Sequence, residues 1–129
     1  MVSNSERARV LKGALAAIND RPGEALTVGE LCRIAKASER TLHYAFMERF
    51  GLSPALYMKA RRLNGARHDL AREHEPSMKI ADIANKWGFW HLGQFAKDYR
   101  QWFSELPSDT YERKHSTDAH RADSNIGLS

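Results

Sequence analysis

Arg40, His43 and Tyr44 fall within five consecutive residues, with Met47 one turn further on. On a helix these four side chains leave the side opposite Leu42, Ala45, Phe46 and Phe50, so a guanidinium, an imidazole and a phenol stand out from an apolar face. A guanidinium so placed can make paired hydrogen bonds to a guanine edge or hold a phosphate, and an imidazole can donate to a base edge or accept from one. The phenol of Tyr44 can bond a phosphate or stack, or simply close the rim of the core. Lys36, Thr41 and the helix-start amide near Ser38 suit contacts to an anionic backbone. Each residue also has a plainer reading as solvated surface; their shared face is what raises the chemical one.

Other chemistries are missing from the pattern. The six histidines (43, 68, 74, 91, 115 and 120) and Cys32 show no tight metal-ligand spacing, and no nucleophile, base and orienting group can be assembled. The expectation is a protein that is not an enzyme and takes no cofactor or metal. Trp87, Phe89, Trp90 and Trp102 resemble an aromatic box, but packing explains them better. Trp90, with His91 beside it at the start of a helix, can lie against a sugar-phosphate backbone. Cys32 reads as a small helix-packing residue.

The 129-residue chain carries a formal +4, and its 42% hydrophobic content suffices for a modest core. Between Thr27 and Glu73 nine lysines and arginines face five acidic residues, a net +4 that equals the excess of the whole chain. Residues 74–107 are neutral and 108–129 are net −1. Such clustering is either a solvated face or the footprint of a polyanion binder. The longest run free of Asp, Glu, Lys and Arg, Trp87 to Ala96, has ten residues, about half of a membrane span. The opening MVSNSER lacks the regions of an export signal, and one cysteine excludes an internal disulfide. A cytoplasmic protein with no membrane partner is expected.

Positioning those side chains requires helices, and the hydrophobic spacing is helical almost throughout. Val10, Leu11, Ala14, Leu15 and Ile18 mark a first amphipathic helix that Asp20, Pro22 and Gly23 end. Thr27 and Glu30 form a capping box opening a short second helix through Leu31 and Ile34. Ser38 can cap a third, which carries Leu42, Phe46 and Phe50 and stops at Gly51. Ser53-Pro54 gives an N-cap and a proline at the first helical position of a helix running to about Arg72. After a break at His74-Glu-Pro-Ser77, Ile80, Ile83 and Ala84 start a short helix closed by Gly88; a further helix carries Phe95, Tyr99 and Phe103. A final turn or two follows near Thr110 and Tyr111, and a polar, disordered tail is expected from His115. No stretch has strand period. The class is all-α.

A repeat is hidden in this order. Val28 and Leu31 match Ile80 and Ile83 at an offset of 52, and Leu42, Phe46 and Phe50 match Phe95, Tyr99 and Phe103 at an offset of 53. Each half is a short helix, a turn and a longer helix, the helix-turn-helix unit whose second helix can enter a major groove. Shifted by 53, the outward positions of the first reader become Gly93, Ala96, Lys97 and Arg100. Gly93 and Ala96 offer no side-chain hydrogen bond but permit close approach, and Ala96 can touch a thymine methyl; Lys97 and Arg100 suit phosphate or guanine.

The pieces LTVGELCRIAKASERTLHYAFMERFGLSP, RRLNGAR, IADIANKWGFWHLGQFAKDYRQWF and LPSDTYER, from Leu26 to Arg113, resemble in one collinear order the C-terminal DNA-binding domain of AraC/XylS-type transcription regulators. WGFWHLGQFAKDYRQWF looks most like the ethanolamine-operon activator branch. The resemblance implies two homeodomain-like helix-turn-helix units joined by a long linker helix, binding DNA as activators, and adds Leu92 to the second reading face. Three departures concern local stability. Lys79 stands where an N-capping Ser or Thr is usual, so Ser77 caps instead or the helix start frays; Ser104 replaces a frequent glycine; and Gly65 lies inside the linker helix at a cost of about 1 kcal/mol against alanine.

The resulting expectation is a first unit over 5–52, a linker helix over 53–73, a second unit over 77–114 and a tail over 115–129. A linker of about nineteen residues would span about 28 Å, against about 34 Å for one turn of DNA, so both readers can face one side of the duplex. The partners expected are double-stranded DNA and RNA polymerase. Relatives with an effector-sensing domain carry it ahead of this region, and such a domain is expected to be missing from this chain. The alternative is a helical protein-interaction module that contacts the transcription machinery with little DNA affinity of its own.

Overall fold

The computed structural model describes residues 3–72 and 77–113. The tail expected from His115 and most of the break at His74-Glu-Pro lie outside these residues. Six α-helices follow one another: α1 (Asn4–Asp20), α2 (Val28–Ala35), α3 (Glu39–Phe50), α4 (Pro54–Ala71), α5 (Ile80–Lys86) and α6 (Leu92–Phe103). A seventh helical stretch covers 107–113. The fold is all-α, and the described residues hold no strand. The start of α2 and that of α5 are 52 residues apart, while α3 and α6 begin and end 53 apart, as the hydrophobic repeat requires. The chain divides into two compact units at 62/63, inside α4.

In the first unit, local signals start and stop each helix. Ser3 caps α1, Thr27 caps α2 by accepting from the Glu30 N–H at 3.0 Å, and Ser38 caps α3 by accepting from the Thr41 N–H at 3.1 Å. The Ser53 hydroxyl does the same for Leu56 at 3.2 Å, with Pro54 at the first turn of α4. Gly51, at φ 69°, ends α3 in the left-handed region that suits glycine. Between these stops Val10, Ala14, Ile18, Leu31, Ala35, Leu42, Phe46 and Met58 close a single core, with the rings of Phe46, Phe50 and Tyr57 4.5–5.8 Å apart.

The second unit closes a core of Leu63, Ala66, Leu70, Ile83, Ala84, Phe89, Phe95 and Tyr99. Lys79, not Ser77, is the N-cap of α5, and its ammonium can accept nothing. The Asp82 carboxylate instead accepts from the Lys79 N–H at 2.9 Å, which supplies half of a capping box. Gly65 has a reason that its helix propensity hides. A Cβ there would sit 2.4 Å from Cη2 and Cζ3 of Trp87, so the indole lies directly on the backbone of α4. Phe89 is buried and Trp87 partly so, as packing predicts, whereas Trp102 and above all Trp90 are exposed.

Buried polar groups hold this unit further. The Tyr99 hydroxyl meets Thr110 Oγ1 at 2.7 Å; Thr110 in turn bonds Glu105, which also accepts from Arg113 at 2.9 Å. The 107–113 stretch is thereby tied to α6, and Arg67 lies over the Phe103 ring.

Candidate nucleic-acid interface

The turn before α3 is short because Lys36 adopts a left-handed conformation, φ 53°, which lets the Ala37 N–H close back on the Cys32 carbonyl at 3.0 Å. That conformation costs a non-glycine residue about 1–2 kcal/mol. Burial of Leu42, Ala45 and Phe46 fixes the roll of α3 and turns Arg40, His43, Tyr44 and Met47 to solvent, all four exposed. The Arg40 guanidinium rests 5.8 Å from the centroid of the Tyr44 ring and pairs with no carboxylate among the described residues. Lys36 is exposed as well. Ser38 and Thr41 are occupied in the cap, their hydroxyls 3.1 Å apart, so they can offer remaining lone pairs and protons only. Cys32 is partly buried against the core; burial and then the Glu39 charge push its thiol up, the reverse of an activated nucleophile.

In the second unit Gly88, at φ 83°, makes the corresponding turn. Burial of Phe95 and Tyr99 rolls α6 so that Leu92, Gly93, Lys97 and Arg100 are exposed and Ala96 is half-buried. Trp90 and His91 precede the helix and are also exposed, Trp90 at 73%. His91 is the N-cap by backbone only; its side chain makes no capping bond. The N–H groups of the first turn of α6 thus have no side-chain acceptor among the described residues, unlike those of α3. The structure therefore brings the expected residues together in two sets, Lys36 to Tyr44 in one unit and Trp90 to Arg100 in the other.

A helix-turn-helix domain family model matches residues 31–113. A probable AraC family transcriptional regulator from Rhodopseudomonas palustris CGA009 superposes with a TM-score of 0.72 at 30% sequence identity, over 81% of this chain and 96% of that one. The chain belongs to the AraC/XylS family of transcriptional regulators. Among curated relatives, the probable thc operon regulatory protein of Rhodococcus erythropolis is 38% identical over 65% of this chain and 25% of its own length. XylDLEGF operon transcriptional activator 2 of Pseudomonas putida is 34% identical over 72% of this chain and 59% of its own. The chain thus spans about a quarter of the first relative and somewhat over half of the second.

AraC-type regulators are non-catalytic, which agrees with the absence of any catalytic constellation in the sequence. No helix of the described residues is long and apolar enough to cross a membrane. A further polar side chain, Gln94, shares the exposed side of α6. It is exposed on the first turn of α6, between Gly93 and Lys97, and its amide donates to Asp98 at 2.9 Å. The repeat signals it, since Gln94 is Thr41 displaced by the same 53 residues.

Proposed function

We propose that this AraC-type chain binds double-stranded DNA sequence-specifically, with α3 and α6 each entering a major-groove segment, and that it activates transcription together with RNA polymerase. The outer face of α3 carries the proposal: Arg40, His43 and Tyr44 are exposed, and Arg40 has no carboxylate partner among the described residues. On the opposite side of the same helix Leu42, Ala45 and Phe46 are buried. Lys36, Thr41 and the amides at Ser38 contact phosphate and set the register, while Arg40 and His43 read base edges with Tyr44 stacking or bonding phosphate. Trp90 and His91 lie along the sugar-phosphate backbone. Leu92, Gly93 and Ala96 approach the bases, and Lys97 and Arg100 hold phosphate or guanine.

The functional division follows 5–52, 53–73 and 77–114, a capped first reader, a linker and a second reader. The activator role is supported by the Pseudomonas putida relative, which is named an operon transcriptional activator. A finer placement beside the ethanolamine-operon activators rests on WGFWHLGQFAKDYRQWF alone. The test is selection of a random-sequence duplex library by the purified chain, followed by binding of the recovered duplex across a salt series. A two-part motif with steeply salt-dependent affinity is expected. A module that contacts only proteins would recover no motif and show no salt-dependent retention.

A further inference from the structure

The two readers are aimed by different means. α3 is started by the Ser38 side chain, whereas α6 begins at His91 without a side-chain cap, so what fixes the chain entering α6 is the turn before it together with the burial of Phe95 and Tyr99. The turn before α6 is a closed piece of backbone. The Trp87 N–H bonds the Ala84 carbonyl at 3.1 Å, the Phe89 N–H bonds the same carbonyl at 2.9 Å, and Gly88 sits at φ 83°. Whatever holds the Trp87 indole therefore also holds the turn.

Two residues of α4, one helical turn apart, hold it. Gly65 supplies a bare backbone against which the ring lies, and a Cβ there would come within 2.4 Å of the ring. Asp69, buried in this unit, accepts the indole N–H at 2.8 Å on the same Oδ2 that takes Lys86 Nζ at 2.9 Å. Arg72 and His68 stand 3.7 Å from its other oxygen. Burial alone would raise the Asp69 pKa. The Lys86 and Trp87 bonds and the Lys86 and Arg72 charges outweigh it and hold the carboxyl below its usual value, so it is an ionised acceptor.

We infer that Gly65 and Asp69 are positioning residues for the second reader: they clamp Trp87 from its face and its N–H, and so set the direction in which α6 leaves the turn. This rests on the DNA-binding reading above. Neither residue touches DNA in that reading; both act through Trp87.

The test uses the full chain and the duplex library recovered by the wild type, with base preference scored separately in the two halves of the motif and thermal melting measured alongside. Trp87→Phe keeps a smaller ring on the Gly65 side and removes the indole N–H together with part of the ring volume, so thermal melting is read beside it. About tenfold weaker binding is expected, with base preference lost in the α6 half and intact in the α3 half. Gly65→Ala should reproduce that one-sided loss even though alanine favours the helix. Asp69→Ala, which removes the acceptor of the indole N–H, should give the same one-sided loss, and Asp69→Asn, whose amide oxygen can still accept that N–H, should restore the α6 half; an Asp69→Ala chain that keeps both halves overturns the role of Asp69. The inference is overturned if Trp87→Phe and Gly65→Ala leave the motif whole, or if both halves fade together in proportion to lost thermal stability. A wild-type chain that recovers no motif overturns the DNA-binding reading itself, and this inference with it.

Discussion

At Thr27 and Ser38 the first unit opens its two short-spaced helices with side-chain caps; at the equivalent positions of the second unit, Lys79 and His91, no such cap exists. Each cap of that kind is worth about 1 kcal/mol. The second unit compensates with contacts the first lacks, the Asp69 carboxylate under Trp87 and Lys86 and the chain Tyr99, Thr110, Glu105, Arg113. The left-handed positions are also exchanged. Lys36 and Gly51 occupy them in the first unit, Gly88 and Ser104 in the second, so each unit has one glycine and one residue that tolerates the strain. Charge divides the units as well: residues 1–62 are net +5 and 63–129 net −1. One arrangement of helices is thus reached once through local backbone signals and once through tertiary polar contacts, and only the first version is strongly cationic.

The largest effects would come from the cores. Phe46→Ala should cost the first unit about 3–5 kcal/mol, and Phe95→Ala the second unit a similar amount, because each removes a fully buried ring. Amide hydrogen exchange resolves the two: acceleration confined to α1–α3 for the first variant and to α5 and α6 for the second is expected. An unchanged melt for Phe46→Ala would show the inward face of α3 to be misassigned. Nearly as large is the salt effect. With about six phosphate contacts, affinity should fall about a thousandfold between about 50 and 200 mM salt, and neutralising the phosphate-holding Lys36 and Lys97 should flatten that slope more than neutralising the base-reading Arg40.

Arg40→Ala and Lys97→Ala test the division of labour between the readers. A paired base contact discriminates by about 1–3 kcal/mol, a phosphate contact hardly at all. Arg40→Ala should relax base preference in one half of the selected motif, and Lys97→Ala should weaken all duplexes nearly equally. The reverse pattern would break the proposed asymmetry.

Acid should distinguish the units more gently. The Lys86 and Trp87 bonds keep Asp69 low against the opposing effect of burial, and the Thr110 and Arg113 bonds keep Glu105 low. A carboxyl depressed in the folded state contributes its stability above the ordinary carboxylate range, and that contribution is lost as pH falls through the depressed value. In the first unit Glu6 alone among the described residues is similarly lowered, by Arg9, and its side chain is more exposed than that of Glu105 or Asp69. Below about pH 4 the second unit should therefore lose protection first, as measured by exchange at a pH series. The smallest change expected is a gain. Ser104→Gly removes a side chain from φ 62° and should stabilise by roughly 0.5–1 kcal/mol in a denaturant titration, matching what Gly51 already provides in the first unit.

Much of this was legible from residue types. The spacing of Leu42, Phe46 and Phe50, the Thr27–Glu30 and Ser38 signals and the stop at Gly51 are local, and each element they predict is present. The offsets of 52 and 53 carried the inward and outward faces from one reader to the other. What stayed hidden depends on distant partners. Gly65 looks like a helix defect until Trp87, 22 residues later, is packed on it; Asp69 looks like a surface acid until Lys86 and Trp87 enclose it. Trp102 reads as packing and is partly exposed, because it stands about 100° around α6 from Phe103, off the side that buries Phe95 and Tyr99.

All three tryptophans, 87, 90 and 102, lie in the second unit, and the aromatic residues of the first are tyrosine and phenylalanine only. Ultraviolet emission excited at the indole band is consequently blind to one half of the molecule. Trp90, 73% exposed just ahead of α6, emits from an aqueous surrounding, while Trp87 emits from against a helix backbone and beside a carboxylate. A polyanion arriving at α6 would dry and blue-shift the first without disturbing the second. The protein thereby carries an intrinsic optical gauge on its less cationic half, which would need no label to time the proposed docking of α6.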